Sequence, residues 1–228
     1  MSQPMYEIIA DELDFIVIAK SHDVHFHSQD GSAGVMASVE KDLDIKLFSV
    51  HRLDTMTSGL LLFAKSSAVA AEFTQLFSEH KVQKYYLALA PGKPKKKQGW
   101  VIGDMAKARR SMHKLLRTTN NPAITQFFSH SVAEGLRLYL LKPHSGKTHQ
   151  LRVALASIGV PILGDGLYGG AQADRGYLHA LSLSFSFREV DYQYLSFPTA
   201  GEEFTGLSVI KQLQIWSEPE KLDWPKRK

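Results

Sequence analysis

The chain has 228 residues, 44% of them hydrophobic, and no cysteine. That content supports a packed core and excludes wholesale disorder, disulfides, a thiol nucleophile and cysteine-ligated zinc. The net charge of +4 hides an asymmetry: residues 81–117 carry eleven Lys or Arg and one acid, Asp104, whereas the remainder carries sixteen bases against twenty-two acids. A local excess of this size marks a surface that faces a polyanion, nucleic acid first. No apolar run approaches the ~20 residues that span a bilayer. The opening MSQPMYEIIADELD has acids where a signal peptide has lysines. The expectation is a soluble cytoplasmic protein with no membrane partner.

In chain order, LDFIVIAK (13–20) is rich in β-branched and aromatic residues and reads as a strand. A polar stretch follows, then a short helix over 35–43. Residues 59–65 read as a buried strand. Residues 66–80 read as a helix with Val69, Ala70, Phe73, Leu76 and Phe77 on one stripe and a serine cap at 66 or 67. KYYLALA (84–90) is a strand with Tyr86 and Tyr85 on opposite faces, and PGKPKKKQG is a basic loop. Strands are expected at 123–129 and 136–142, and a helix at 148–158 ended by Gly159 and Pro161. YLHALSLSFSF (177–187) alternates, with Leu181, Leu183, Phe185 and Phe187 inward and Ser182, Ser184 and Ser186 outward. The tail from Trp216 reads as polar and peripheral. Consecutive strands without intervening helices indicate α+β with a mostly antiparallel or mixed sheet.

Two stretches can carry chemistry. In HRLDTMTSGLLLFAKS (51–66), Asp54 lies beside a buried strand. An aspartate there is costly unless a cation or hydrogen-bond donors match it, and one so matched stays ionised as a nucleophile or base. A turn-capping aspartate is the more ordinary explanation of the same residue. In HSGKTHQLRVALASIGVPILGDGLYGG (144–170), Lys147, His149 and Arg152 sit near the start of a helix. Cations there oppose the helix dipole, so each implies a carboxylate or phosphate partner or an exit to solvent. His22, His25 and His27 lack a matching ligand set, so no metal is expected. GDGLYGG is not a P-loop, and no GxSxG elbow is present.

Together these stretches resemble the RluA-type pseudouridine synthases. HRLDTMTSGLL is similar to that family's catalytic-aspartate motif, KYYLALAPG to its K-x-Y-x-A motif, and SGKTHQLRVALASIGVPILGDGLYG to its third motif; YLHA (177–180) also fits. The resemblance spans about 13–187. It implies a pseudouridine synthase fold: a long mixed, mainly antiparallel sheet with flanking helices and a central catalytic cleft. It implies one catalytic domain over 1–228 with no separate S4-like RNA-binding domain, acting as a monomer. The implied activity isomerises a uridine of structured tRNA or rRNA to pseudouridine, without cofactor or metal.

By the same resemblance Asp54 is the essential aspartate, acting either by covalent attack or by removal of a C2′ proton. Arg152 pairs with it. Tyr86 stacks on the uracil and joins the C5 proton transfer. Leu151 packs on the base, and Lys147 and His149 line the substrate site. Arg52 helps hold the flipped target outside its helix, and His51 gives structural support. Lys84, Lys95, Lys96, Lys97, Arg109 and Arg110 grip the RNA backbone, and a base in a stack must be flipped to reach Asp54. Two departures stand out: Lys20 is followed by SHDV where the family has K-P-x-G, and Lys147 replaces an arginine, losing its bidentate fork. An inactive RNA-binding module on the same fold is the alternative, and indifference to substitution of Asp54 would mark it. A carboxylate hydrolase lacks a second catalytic acid, since Gly164–Asp165 reads as a turn.

Overall fold

The computed structural model of the protein describes residues 3–29, 31 and 33–227. In chain order the elements begin β1 (Tyr6–Asp11), β2 (Phe15–Lys20), α1 (Val35–Leu43), β3 (Phe48–Ser49), β4 (Ser58–Ala64) and α2 (Ser67–Ser78). Then come β5 (Gln83–Pro91), β6 (Gln98–Gly103), β7 (Met105–Lys107), β8 (His113–Leu115), β9 (Ala123–Ala133) and β10 (Leu136–Pro143). The chain finishes with α3 (Gln150–Ser157), β11 (Leu178–Phe187), β12 (Val190–Leu195) and α4 (Leu207–Ile215). Two compact units result: residues up to Lys84 together with Ala180–Phe197, and Tyr85–His179 together with the chain from Pro198 onward.

In the first unit β1, β2 and β4 pair antiparallel in that order, and β12 folds back on β11. β4 (SGLLLFA) is buried on both faces, which is why it reads as a continuous apolar run without alternation. Phe15 is the centre of an aromatic cluster. It lies edge-on to Phe73 of α2 at 5.4 Å, to Phe185 of β11 at 5.6 Å and to Tyr192 of β12 at 5.0 Å. Such edge-to-face contacts add to the area term when rings bury together. The α2 stripe meets this cluster through Phe73, and Ser66 caps the helix by accepting the Val69 N–H.

In the second unit the strand order is β5-β10-β9-β6, again antiparallel, with β7 and β8 as a separate hairpin. The basic segment 81–117 holds the expected strand β5 and three further strands, β6, β7 and β8, that the sequence did not foretell. Asp104, the one acid of that segment, is structural. Its carboxylate accepts the Asn120 and Asn121 N–H groups at 3.0 and 2.8 Å. A hydrogen bond from Thr118, more than these or the Lys147 cation, holds it below the usual carboxylate pKa.

Two expectations are corrected. The serines of β11 do not all face out: Ser182 is buried, Ser184 is half-buried, and only Ser186 is exposed, because both faces of the strand are covered near its start. The tail is not peripheral either. Trp216 is buried, and Trp224 packs on Phe128 at 4.7 Å and on Tyr85 at 5.7 Å. The Pro225 carbonyl accepts two hydrogen bonds, from Trp100 Nε1 at 2.7 Å and Gln126 Nε2 at 2.8 Å. Two indoles in nine residues give that polar stretch enough apolar surface to dock.

Candidate active site

In the first unit Asp54 is half-buried in the extended connection that leads into β4. The Thr57 N–H closes a turn on its carbonyl at 3.0 Å, and Thr57 and Ser58 behind it are buried. Gly59 is required there. Its φ is +100°, and an added Cβ would stand 2.3 Å from the Ala180 carbonyl oxygen of β11. That close approach explains a glycine inside a strand.

The turn is held from a second side by Lys20, a residue whose partners the sequence did not reveal. Its side chain is buried, and its ammonium donates to the carbonyls of Ser21 and Val24 at 2.9 Å and of Thr55 at 3.1 Å. A buried ammonium persists only when donors and acceptors are matched in this way. One lysine thus ties the SHDV loop to the residue after Asp54. His25 Nδ1 reinforces the tie, 3.2 Å from Thr55 Oγ1. The loop without K-P-x-G therefore still reaches the aspartate turn.

His51 is fixed as a neutral ring. Its Nε2 accepts the Leu62 N–H at 3.0 Å, and the imidazole stacks on Phe77 at 4.7 Å. Burial, helped by the Lys84 cation, lowers its pKa to about 3. Lys84 stands over the same Phe77 ring at 5.2 Å, and burial lowers its pKa too. It thus differs in setting from Lys95, Lys96, Lys97, Arg109 and Arg110, which are all exposed. Arg52 is exposed as well.

In the second unit the SGKTH segment is held by Gln150, the first residue of α3. Its Oε1 accepts from Ser145 Oγ at 2.7 Å and from the Lys147 N–H at 3.0 Å. Its Nε2 donates to the Ile124 carbonyl and to Thr125 Oγ1, both at 3.0 Å. A buried amide with two bonds at each end is fully satisfied, and it fastens the segment to β9. Each basic side chain of this segment has a different partner. Lys147 Nζ donates to Asn121 Oδ1 at 2.8 Å. His149, in the left-handed conformation at φ 56°, places Nδ1 2.9 Å from the Tyr168 hydroxyl. That hydroxyl also accepts the His113 N–H at 2.9 Å.

Arg152 is buried and forms a two-point ion pair with Asp165, Nε to Oδ2 at 2.7 Å and Nη2 to Oδ1 at 2.8 Å. Its guanidinium also lies 5.0 Å from the Tyr168 ring centre. Asp165 was read as a turn residue, and its backbone does turn, accepting the Gly170 N–H at 2.8 Å. Its side chain is the buried partner of an arginine as well. Leu151 beside it is buried, and Tyr86 is half-buried on β5, opposite Leu141 of β10. Among the described residues no group of three or more His, Cys, Asp or Glu side chains is placed to hold a metal ion, and no helix is long and apolar enough to cross a membrane.

Residues 14–157 match a family described as RNA pseudouridylate synthase. A Haemophilus influenzae protein named Uncharacterized RNA pseudouridine synthase is 48% identical over 213 residues, covering 92% of this chain and 95% of that protein. The Dual-specificity RNA pseudouridine synthase RluA of Escherichia coli is 35% identical over 161 residues, covering 67% of this chain and 72% of that one. The solved structure of Human RNA Pseudouridylate Synthase Domain Containing 1 matches with a TM-score of 0.76 at 22% identity, covering 97% of each chain, a likeness of fold.

Proposed function

The chain belongs to the RNA pseudouridylate synthase family, in its RluA-type branch, and on that premise we propose that it isomerises a specific uridine of structured tRNA or rRNA with Asp54 as the essential carboxylate. It is an isomerase with the α+β pseudouridine synthase fold. The observation that carries the proposal is the family match over 14–157, which contains Asp54, Tyr86 and Arg152 in motif order.

In this reading the whole chain works as one catalytic domain, and the target nucleotide is flipped out of its stack. The C1′–N1 bond of uridine breaks, the uracil turns, and a C1′–C5 bond forms. The proton lost from C5 is balanced by one gained at N1, so no redox partner is needed. Asp54 acts either by covalent attack on the sugar or base or by removal of the C2′ proton. In this reading Arg152 is the cation that serves Asp54, and its support from Asp165 restricts how far the guanidinium can move. Tyr86 stacks on the uracil and serves the C5 proton, and Leu151 packs on the base. Lys147, His149 and Arg52 contact the substrate strand, and the exposed cations of the basic segment hold its phosphates.

The test is pseudouridine mapping of tRNA and rRNA from cells lacking the protein, before and after incubation with purified enzyme. A site absent beforehand should appear with the wild type and stay at background with Asp54→Asn. Undiminished conversion by Asp54→Asn would remove Asp54 from the chemistry and leave the family membership intact.

A further inference from the structure

A cleft of about 870 Å³ opens in the second unit along β6, the outermost strand of its sheet. None of Asp54, Tyr86, Leu151 or Arg152 lines it. Its floor is apolar and partly aromatic, made by Trp100, Ile102 and Phe127, with Ile158 from just past the end of α3. Its rim carries four cations from two distant parts of the chain: Lys95 and Lys96 of the basic loop, and Lys226 and Arg227 of the tail. Among the described residues no acidic side chain lines it.

The tail cations are delivered to the rim by a built anchor. The Pro225 carbonyl is bound by both Trp100 Nε1 and Gln126 Nε2, and Trp224 before it is packed against Phe128. Trp100 is itself stacked on His144 at 5.1 Å. Four like charges drawn together without a carboxylate among them repel, so an anion that bridges them is bound with a gain. A small anion would satisfy the rim and leave the apolar floor unused. A nucleic-acid strand uses both, with phosphates at the rim and a base on the floor.

We propose that this cleft holds a segment of the RNA substrate other than the nucleotide being isomerised, with Lys95, Lys96, Lys226 and Arg227 on its phosphates and an unstacked base against Trp100, Ile102 and Phe127. The proposal rests on the reading of the protein as an RNA pseudouridine synthase. Its consequence is that recognition extends to a flanking loop or bulge, so the target would be chosen partly by what lies next to it.

Two variants test it with separate logic. One neutralises the rim: Lys95→Gln, Lys96→Gln, Lys226→Gln and Arg227→Gln together. The other fills the cleft without changing charge: Ser157→Trp, at the exposed end of α3. The probes are a fluorescein-labelled oligouridine for affinity, and bulk tRNA and rRNA from cells lacking the protein for conversion. The rim variant should bind at least about tenfold more weakly and flatten the plot of log affinity against log salt by about 0.7 per lost phosphate contact, or about 2–3 in all. Ser157→Trp should weaken binding by about tenfold, within the range expected for one lost base stack, and leave the salt slope unchanged. Far-ultraviolet circular dichroism of both variants should match the wild type.

Neutralising Lys41 and Lys211, exposed residues away from the cleft, should change affinity by less than about twofold, as for isolated surface charges. Wild-type affinity, salt slope and conversion in both cleft variants would overturn the proposal while leaving the enzyme's activity established. Loss of polyglutamate binding in the rim variant with RNA binding intact would assign the cleft to an acidic protein and also overturn it. Failure of the wild type to modify any RNA would instead count against the functional reading, and oligouridine affinity would then judge the cleft by itself.

Discussion

At the scale of single residues, His51 and the Arg152–Asp165 pair, all within the motifs, make measurable commitments. His51 has a folded pKa of about 3, below its ordinary 6.5. A depressed histidine pKa means that the neutral ring favours folding. Its contribution is complete above pH 6.5 and is lost as pH falls toward 3. After allowance for partial screening of a half-buried ring, the loss by pH 3 should be of order 3 kcal/mol. His51→Gln keeps an acceptor for the Leu62 N–H and removes the titration. Urea unfolding at pH 7, 5 and 4 should therefore show a shallower acid decline in that variant than in the wild type. Arg152 and Asp165 form the other commitment. Breaking a buried pair strands a charge, at a cost of about 3–5 kcal/mol. Asp165→Asn is expected to lower stability by that order and to depress pseudouridine formation with it, because Arg152 loses the carboxylate that aims it. Full activity in a destabilised Asp165→Asn protein would limit Asp165 to folding.

At the scale of elements, legibility followed how local each signal was. The helix over 35–43 matches α1 residue for residue, and β2, β4, β5, β10 and α2 lie within a few residues of their expected bounds. Each has a strong period or an apolar run of its own. β12 was missed because its hairpin turns through Arg188 and Glu189 at φ 49° and 67°, with no Asn-Gly to announce it. The β7–β8 hairpin turns likewise through Arg110 and Ser111, at φ 54° and 59°. Its three-residue strands carry too little periodicity to stand out from the surrounding charge. In the candidate site, Asp54, Tyr86 and Arg152 were legible through motif resemblance. The partners were not: Asp165 looks like any aspartate in a glycine turn, and the Lys20 ammonium joins carbonyls of the loop that follows it to that of Thr55, 35 residues on from Lys20. Gly59 sits between those classes, visible in the motif but explained only by Ala180. Gly59→Ala puts a methyl at a 2.3 Å contact and at a φ that disfavours side chains. It should cost more than about 2 kcal/mol in urea unfolding and shift the Asp54 turn enough to lower turnover.

At the scale of the whole molecule, charge and aromatic content are both unevenly assigned. The excess of cations in residues 81–117 falls almost wholly in the second unit, where the tail adds Lys226 and Arg227. All three tryptophans are there too, at 100, 216 and 224, and the first unit has none. Intrinsic indole emission is therefore a one-sided optical probe, whereas far-ultraviolet dichroism sums over the entire backbone. The chain passes between the units three times, at 84–85, 179–180 and 197–198. Emission and dichroism should accordingly trace a single coincident urea transition, as for a cooperative fold. A dichroism change that runs ahead of the emission change would mean that the half bearing Asp54 melts first, silently to fluorescence. Of these indoles only that of Trp100 lines the cleft, so the part of the quenching by oligouridine that is lost in Trp100→Phe would report occupancy there without any label on the protein.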